Sequence, residues 1–243
     1  EHFVTFASIM RTKTKAIHSL YQSKDAYGAL AMPVYHTDAY EFENAEIMSD
    51  AFCSRVPLPD YSRVTNPTVI YFEKKIRELT GARHVHALTS GMAAICNSLL
   101  AICGSGSNIV TSNHLFGNTW LLFSKTFARY GIEARFCDLC DIEAVKASID
   151  GKTACVYAEI ISNPLQEVVD LKALSDVAHE RGCLLLADTT MIPFTRFNAG
   201  QLGVDLELVS TTKYVSGGAS TIGGVAIDYS CGNDYEERMQ EMM

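Results

Sequence analysis

The sequence predicts an α/β fold: a mostly parallel sheet of seven strands, with helices on both faces and an extended N-terminal arm. From about residue 84 onward, short runs rich in β-branched and apolar residues alternate with segments whose apolar residues recur every three or four positions. Alternation of this kind is typical of a parallel sheet covered by helices. The first sixty residues lack the alternation, and prolines interrupt them at positions 33, 57 and 59. They are therefore interpreted as an arm that lies on a partner subunit.

Turn residues bound the strand-like runs, which place strands at 84–89, 108–112, 132–137, 153–160, 183–189, 206–211 and 223–228. The helical spacing places helices at 92–103, 119–130, 141–149 and 171–181, and residues 234–243 are acidic and helix-prone. Gly131 and Gly182 follow two of these helices, where a C-terminal cap belongs. The glycine-rich residues 216–224 leave no room for a helix, so the last strand is expected to be antiparallel to the one before it.

Composition excludes several classes of protein. The chain has 243 residues, with 20 basic against 28 acidic side chains, and its net charge of −8 argues against a duplex nucleic-acid binder. No apolar run approaches the roughly 18–20 residues that cross a bilayer, so no membrane partner is predicted. The apolar stretch 3–10 has no basic segment before it and makes a poor signal peptide.

The eight cysteines are scattered without the spacing of a small disulfide scaffold, which favours reduced thiols and a cytoplasmic location. Cys137 and Cys140 form a lone CxxC motif, and a zinc ribbon needs a second pair. No metal site is predicted.

Three strand ends carry the residues that indicate chemistry, because ligands of open α/β sheets bind beyond the carboxyl ends of the strands. The first strand runs into Ser90, Gly91 and Met92 before a helix, which suits a phosphate but is also an ordinary N-cap. The fifth strand ends at Asp188, and the sixth leads into Lys213. Taken alone, Asp188 and Lys213 are each interpreted as a surface charge on a loop. Together they are the set that pyridoxal 5′-phosphate (PLP) requires: a phosphate cradle, a carboxylate for the pyridine nitrogen and a lysine that bonds the cofactor covalently.

The chain also resembles the Cys/Met-metabolism PLP-dependent enzymes of fold type I, and most closely their O-acetylhomoserine sulfhydrylase branch. Five motifs carry the resemblance in order, at residues 61–68 (YSRVTNPT), 90–95 (SGMAAI), 162–164 (SNP), 188–190 (DTT) and 210–213 (STTK). The resemblance covers residues 13–228. It implies the PLP transferase fold, with residues 1–60 as an intersubunit arm and residues 61–243 as the PLP-binding large domain.

The resemblance also implies roles for individual residues. Lys213 matches the lysine that bonds the cofactor, Asp188 the partner of the pyridine nitrogen, and Asn163 the residue near the phenolic oxygen. The residues that match the phosphate-binding end of the site are Ser90, Gly91, Met92, Ser210 and Thr212. Tyr61 and Arg63 match a pair that reaches the phosphate in a neighbouring subunit, which implies a dimer at least and, by family habit, a tetramer.

One departure from the family bears on the substrate. Phe116 stands where the family typically has tyrosine; it can stack on the pyridine ring but has no hydroxyl to protonate a leaving group. A departing thiolate benefits from a proton, whereas acetate is already a stable anion. The resemblance therefore implies γ-replacement on O-acetylated homoserine by a sulfur nucleophile, giving homocysteine. Open alternatives are that another side chain or water supplies the proton, that the protein is a methionine γ-lyase or cystathionine γ-synthase, or that it is a catalytically idle member kept for assembly or regulation.

A substrate carboxylate is usually met by a bidentate arginine, which in the resembled family lies in a C-terminal domain. None of the ten arginines matches it: Arg63 is assigned to phosphate, and Arg196 is interpreted as a surface loop residue. The first residue is Glu1 rather than methionine. We therefore expect the 243 residues to be the arm and cofactor domain of a longer polypeptide, without the C-terminal small domain and without turnover on their own.

Overall fold

The computed structural model describes residues 11–17, 27–192, 194–218 and 220–242. The chain divides into two compact units, one that ends at Leu79 and one that spans Thr80–Met242. Each unit is described by itself.

The described residues of the first unit form the helices α1 (Thr12–Ile17), α2 (Ala45–Phe52) and α3 (Pro67–Thr80). Asn44 caps α2 by accepting a hydrogen bond from the Ile47 amide. Pro67 occupies the first position of α3, where its missing N–H costs no hydrogen bond. The sequence interpretation assigned neither α2 nor α3, because it took the prolines of this region as interruptions and overlooked Pro67 as a helix start.

In the second unit, the residues that the structure describes form one sheet of seven strands. The strands are β1 (His84–Leu88), β2 (Asn108–Thr111), β3 (Glu133–Phe136), β4 (Thr153–Glu159), β5 (Leu184–Asp188), β6 (Leu206–Val209) and β7 (Gly224–Asp228). The helices of this unit are α4 (Gly91–Ile102), α5 (Gly117–Leu121), α6 (Ile142–Ser148), α7 (Leu171–Glu180) and α8 (Asn233–Met242). All seven strands lie where the sequence predicted them, each shorter by one or two residues.

The sheet order is β1-β7-β6-β5-β4-β2-β3. β7 pairs antiparallel with both β1 and β6, which confirms the expected antiparallel strand, and the other pairings are parallel. Because β7 separates β1 from β6 and opposes both, β1 runs in the same direction as β6. The carboxyl ends of β1 to β6 therefore meet at one edge of the sheet.

Two hydrophobic clusters cover the two faces of the sheet, as the fold class requires. One cluster joins α4, α5 and α8 to sheet residues such as Tyr157 and Leu208. The other joins α6 and α7 to Val156 and Leu185. Neighbouring residues of a strand point to opposite faces, which is why β4 and β5 contribute to both clusters.

The predicted helix 119–130 is only partly α-helical. α5 continues into a π-helical turn at Leu122–Thr126 and a 3₁₀ turn at Phe127–Tyr130, which ends at Gly131 in the left-handed conformation. Gly182 also has a positive φ of 74°, as expected of a glycine just past the end of a helix. Within the described ranges, no helix is long and apolar enough to cross a bilayer.

Candidate active site

A cavity of about 880 Å³ opens at the edge where the carboxyl ends of the parallel strands meet. It is lined by every candidate site residue that the sequence placed in the second unit: Ser90, Gly91, Met92, Phe116, Asn163, Asp188, Ser210, Thr212 and Lys213. These residues follow five different strands. Their convergence results from the common direction of β1 to β6.

The N-terminus of α4 forms one wall of the cavity. Ser90 is its N-cap, and the Ser90 hydroxyl accepts a hydrogen bond from the Ala93 amide at 3.0 Å. The hydroxyl of Ser90 therefore caps the helix, and the first-turn amides of Gly91 and Met92 are the groups that suit an anion. The Met92 sulfur accepts a hydrogen bond from the Thr119 hydroxyl at 3.8 Å, so its side chain packs toward α5.

Two glycines allow the backbone to crowd at this wall. A Cβ on Gly91 would lie 2.6 Å from the Cβ of Ser210, and a Cβ on Gly224 would lie 2.1 Å from the carbonyl oxygen of Ser90. Real Cβ atoms do not approach other atoms so closely. Glycine at both positions therefore lets the ends of β1 and β6 and the start of β7 meet the tip of α4.

We expect Gly91→Ala to weaken phosphate binding and to lower the free energy of unfolding by about 1–3 kcal/mol, the usual cost of an overpacked site. Gly104→Ala is the matched control, because nothing lies within 4 Å of its added Cβ. Chemical denaturation and titration of the apo form with inorganic phosphate and with PLP measure both effects. Equal stability and equal affinity in the two variants would contradict the close contact of Gly91 with Ser210.

Asp188 ends β5 at the floor of the cavity. Its Oδ1 accepts a hydrogen bond from the Thr190 amide at 2.9 Å. Burial raises the pKa of this carboxyl above its ordinary value, and the Thr190 hydrogen bonds oppose that rise only in part. A cationic hydrogen-bond donor placed beside a carboxyl group with a raised pKa stabilises its ionised form.

The loop after β6 supplies hydroxyls and the lysine. The Ser210 amide donates to the Thr190 hydroxyl at 2.8 Å, which ties this loop to the end of β5. The Thr212 hydroxyl donates to the Gly223 carbonyl at 3.2 Å and accepts from the Gly223 amide at 3.1 Å. Lys213 is exposed and, within the part of the chain that the structure describes, forms no ion pair. No carboxylate of the described residues therefore holds its amine.

Phe116 and Asn163 lie on the loops after β2 and β4. Phe116 is 44% exposed and lines the cavity, so part of its surface is accessible to a ligand. Asn163 is also exposed. Neither residue belongs to a regular helix or strand.

Sequence reasoning missed Glu159, a second carboxylate of the cavity. It ends β4 and pairs in register with Asp188 on β5. The Glu159 side chain is buried and accepts hydrogen bonds from two backbone amides, those of Phe116 and Asn163. Burial, reinforced by the nearby charge of Asp188, raises its pKa to about 7. The available signal was its position four residues before Asn163, at the end of a predicted strand.

Tyr61 and Arg63 belong to the first unit. The guanidinium carbon of Arg63 lies 5.6 Å from the centroid of the Tyr61 ring, so the two side chains form one cation–π pair. Their action on the cofactor of a neighbouring subunit stays a prediction. Arg196 is exposed on the turn after β5 and does not line the cavity.

Residues 13–243 match the family described as "Cys/Met metabolism PLP-dependent enzyme". The chain belongs to this family. It is 37% identical over 218 residues to an O-acetyl-L-homoserine sulfhydrylase of Corynebacterium glutamicum, covering 89% of this chain and 50% of that protein. It is also 37% identical over 204 residues to an O-succinylhomoserine sulfhydrylase of Pseudomonas aeruginosa, covering 84% of this chain and 51% of that protein. The chain thus spans about half the length of these curated relatives.

A solved structure extends the comparison to three dimensions. A putative O-acetylhomoserine (thiol)-lyase of Campylobacter jejuni is 30% identical, with a TM-score of 0.83 over 94% of this chain and 56% of that one. That protein is described with an N′-pyridoxyl-lysine-5′-monophosphate residue. The likeness confirms the PLP fold type I that the motifs implied.

The residues of the cavity fit the cofactor of this PLP-dependent family. The crowded tip of α4 offers backbone amides without a Cβ at Gly91, as a phosphate requires. Asp188 offers a half-buried carboxylate to the pyridine nitrogen, and Lys213 offers an amine that forms no ion pair with any described residue. When bound, PLP supplies an electron sink for a carbanion on the substrate.

Proposed function

We propose that the chain forms the cofactor-binding part of an enzyme that replaces the acetate of O-acetylhomoserine with a sulfur nucleophile and yields homocysteine. The observation that carries the proposal is the convergence of Lys213, Asp188 and the α4 N-terminus on one cavity. The names of the two curated relatives support an O-acylated homoserine as substrate. We further propose that a segment outside these 243 residues supplies the arginine for the substrate carboxylate.

In this proposal the side chains divide the chemistry between them. The Lys213 amine would take one proton from Cα and one from Cβ of the substrate, and would return a proton to each carbon after the sulfur nucleophile has replaced acetate at Cγ. The Asp188 carboxylate keeps a negative charge beside the pyridine nitrogen, which sustains the electron sink. The first-turn amides of α4 hold the phosphate and so fix the cofactor against Lys213.

The choice of leaving group rests on Phe116. Its ring lies open in the cavity, and a phenylalanine at this position offers no proton to a departing group. Acetate leaves as a stable anion near neutral pH, whereas the thiolate that leaves from methionine or cystathionine is more basic. The chemistry of this position therefore favours an O-acyl homoserine over methionine.

A substrate panel tests the function. For the full-length protein, we expect kcat/KM to be highest for O-acetylhomoserine with a sulfur nucleophile, lower for O-succinylhomoserine and lowest for methionine. Phe116→Tyr should raise methionine turnover by about 10-fold or more, since a positioned acid is worth at least that much, and should change O-acetylhomoserine turnover only a few-fold. A clear preference of the wild-type protein for methionine would overturn the proposal and establish a methionine γ-lyase.

Two alternative hypotheses about the function make specific predictions. A cystathionine γ-synthase would accept cysteine as nucleophile in place of the simpler sulfur donor. An idle assembly member would show bound cofactor without turnover of any substrate in the panel. The joint presence of Lys213 and Asp188 in one cavity opposes the idle hypothesis, because a half-buried carboxylate and a lysine without an ion-pair partner among the described residues have little structural use there.

We also propose a homo-oligomer, a dimer at least and a tetramer by family habit, in the cytoplasm. The Tyr61–Arg63 pair supports shared active sites, since the motif that contains it matches a family pair that reaches a neighbouring subunit. All eight cysteines are free thiols, which supports a reducing compartment. Light scattering of the full-length protein tests the assembly.

A further inference from the structure

We propose that Glu159 is a positioning residue that fixes Phe116 and Asn163 against the cofactor ring. The inference rests on the proposed function, because it assumes that PLP occupies this cavity. Glu159 itself would act through the backbone of the two loops.

One side chain links two loops of the cavity. β4 lies between β2 and β5 in the sheet, so Glu159 at its carboxyl end faces the loop after β2 as well as its own. Oε1 accepts a hydrogen bond from the Phe116 amide at 2.7 Å, and Oε2 accepts one from the Asn163 amide at 3.3 Å. The carboxylate thus restrains both residues at their backbone, next to the side chains that would touch the ring.

A second bridge joins the same loops on their outer side. His114 Nδ1 lies 2.5 Å from Glu167 Oε2, and both side chains are nearly half exposed. Solvent weakens such an exposed pair. The buried Glu159 carboxylate, only 7% exposed, is therefore the stronger of the two restraints.

A buried carboxylate is an expensive way to hold two loops, which argues that its geometry serves the site. Two acceptor oxygens at a fixed separation satisfy two amide donors at once, whereas an amide side chain offers only one acceptor.

The titratable groups that surround Glu159 are Asp188, Tyr157 and Lys213 around the cavity and Asp138, Cys140, His114 and Glu167 on the outer side.

The ionisation of Glu159 gives the proposal a pH signature. Because its pKa in the fold is about 7, against an ordinary 4.5, the folded state holds a proton that the unfolded chain releases. The contribution of this group to stability is therefore greatest below pH 4.5 and is lost as the pH rises through 7. The restraint on the two loops has the opposite pH dependence. It strengthens as the pH rises, because only the ionised carboxylate accepts hydrogen bonds from both amides.

The experiment compares Glu159→Gln with Glu207→Gln in the full-length enzyme. Glu207 is a matched buried carboxylate one strand beyond Asp188; it accepts hydrogen bonds from the Thr189 and Tyr229 hydroxyls and does not line the cavity. The readouts are the dissociation constant of PLP from pH 6 to 9, the visible circular dichroism of the bound cofactor and the melting temperature of the apo form.

Glu159→Gln should weaken PLP binding about 10-fold at pH 8.5, the effect of one lost charge-assisted hydrogen bond, and should reduce the visible circular dichroism. Its apo form should melt higher than wild type at that pH. The loss of PLP affinity as the pH falls through 7 should be smaller in the variant than in wild type. Glu207→Gln should change the affinity less than 2-fold and leave the dichroism intact.

Glu159→Asp is the second variant, because it keeps the charge but shortens its reach. If either Glu159 variant binds PLP with wild-type affinity and wild-type dichroism, the positioning role is wrong. If wild-type protein itself does not bind PLP at Lys213, the proposed function fails instead. The two failures are distinguished by the wild-type titration alone.

Discussion

Replacing Lys213 by alanine should abolish covalent attachment of PLP and lower turnover by at least about 10²–10⁴-fold, the loss that follows removal of a positioned acid–base group. Lys213 follows β6 at the open edge of the sheet and lines the cavity that also contains Asp188. Within the described residues it has no carboxylate partner to hold it away from a ligand.

Borohydride reduction of the full-length holoenzyme, followed by peptide mapping, measures the attachment directly. The tag should lie on Lys213 in wild type and disappear in Lys213→Ala. Lys152→Ala is the control, since Lys152 immediately precedes β4 at the opposite end of the sheet. A tag on any other lysine of the wild-type protein would contradict the assignment.

Replacing Asp188 by asparagine should lower turnover by about 10²–10³-fold, as the loss of one electrostatic partner of a reacting group does. It should at the same time stabilise the apo form. Burial raises the pKa of Asp188 in the fold, so the folded state binds this proton more tightly than the unfolded chain. The carboxyl's contribution to stability is present at low pH and is lost as the pH rises through the folded-state pKa, and asparagine avoids that loss.

Melting curves of the apo form from pH 4 to 8 and kinetics of the holoenzyme test both halves of this expectation. Asp176→Asn is the control, because Asp176 lies exposed on α7 in an ion pair with Lys172. A variant that lowered activity and apo stability together would show that Asp188 is a structural residue. A variant with wild-type turnover would show that the pyridine nitrogen has another partner.

The sequence determined the strands and the chemistry at their ends. The alternation of strand-like and helix-like segments located all seven strands within a few residues, because hydrophobic periodicity is a local property of the chain. Once the strands were known to be mostly parallel, the positions of Asp188 and Lys213 placed them at one edge without any knowledge of strand order. The helices at Ala45–Phe52 and Pro67–Thr80 were missed because the prolines of this region were taken as interruptions, although Pro67 itself starts a helix.

Only the tertiary structure decided which strands are neighbours and what the intervening side chains do. In the sequence, Glu159 is only the polar end of a strand; its bond to the Phe116 amide, 43 residues away, becomes visible only when β4 lies beside β2. The need for glycine at position 91 has the same origin, since the atom that excludes a Cβ belongs to Ser210, more than a hundred residues later. Local pattern fixes which face and end of an element a residue occupies, whereas burial, close approach and shared hydrogen bonds depend on contacts between segments that the chain order separates.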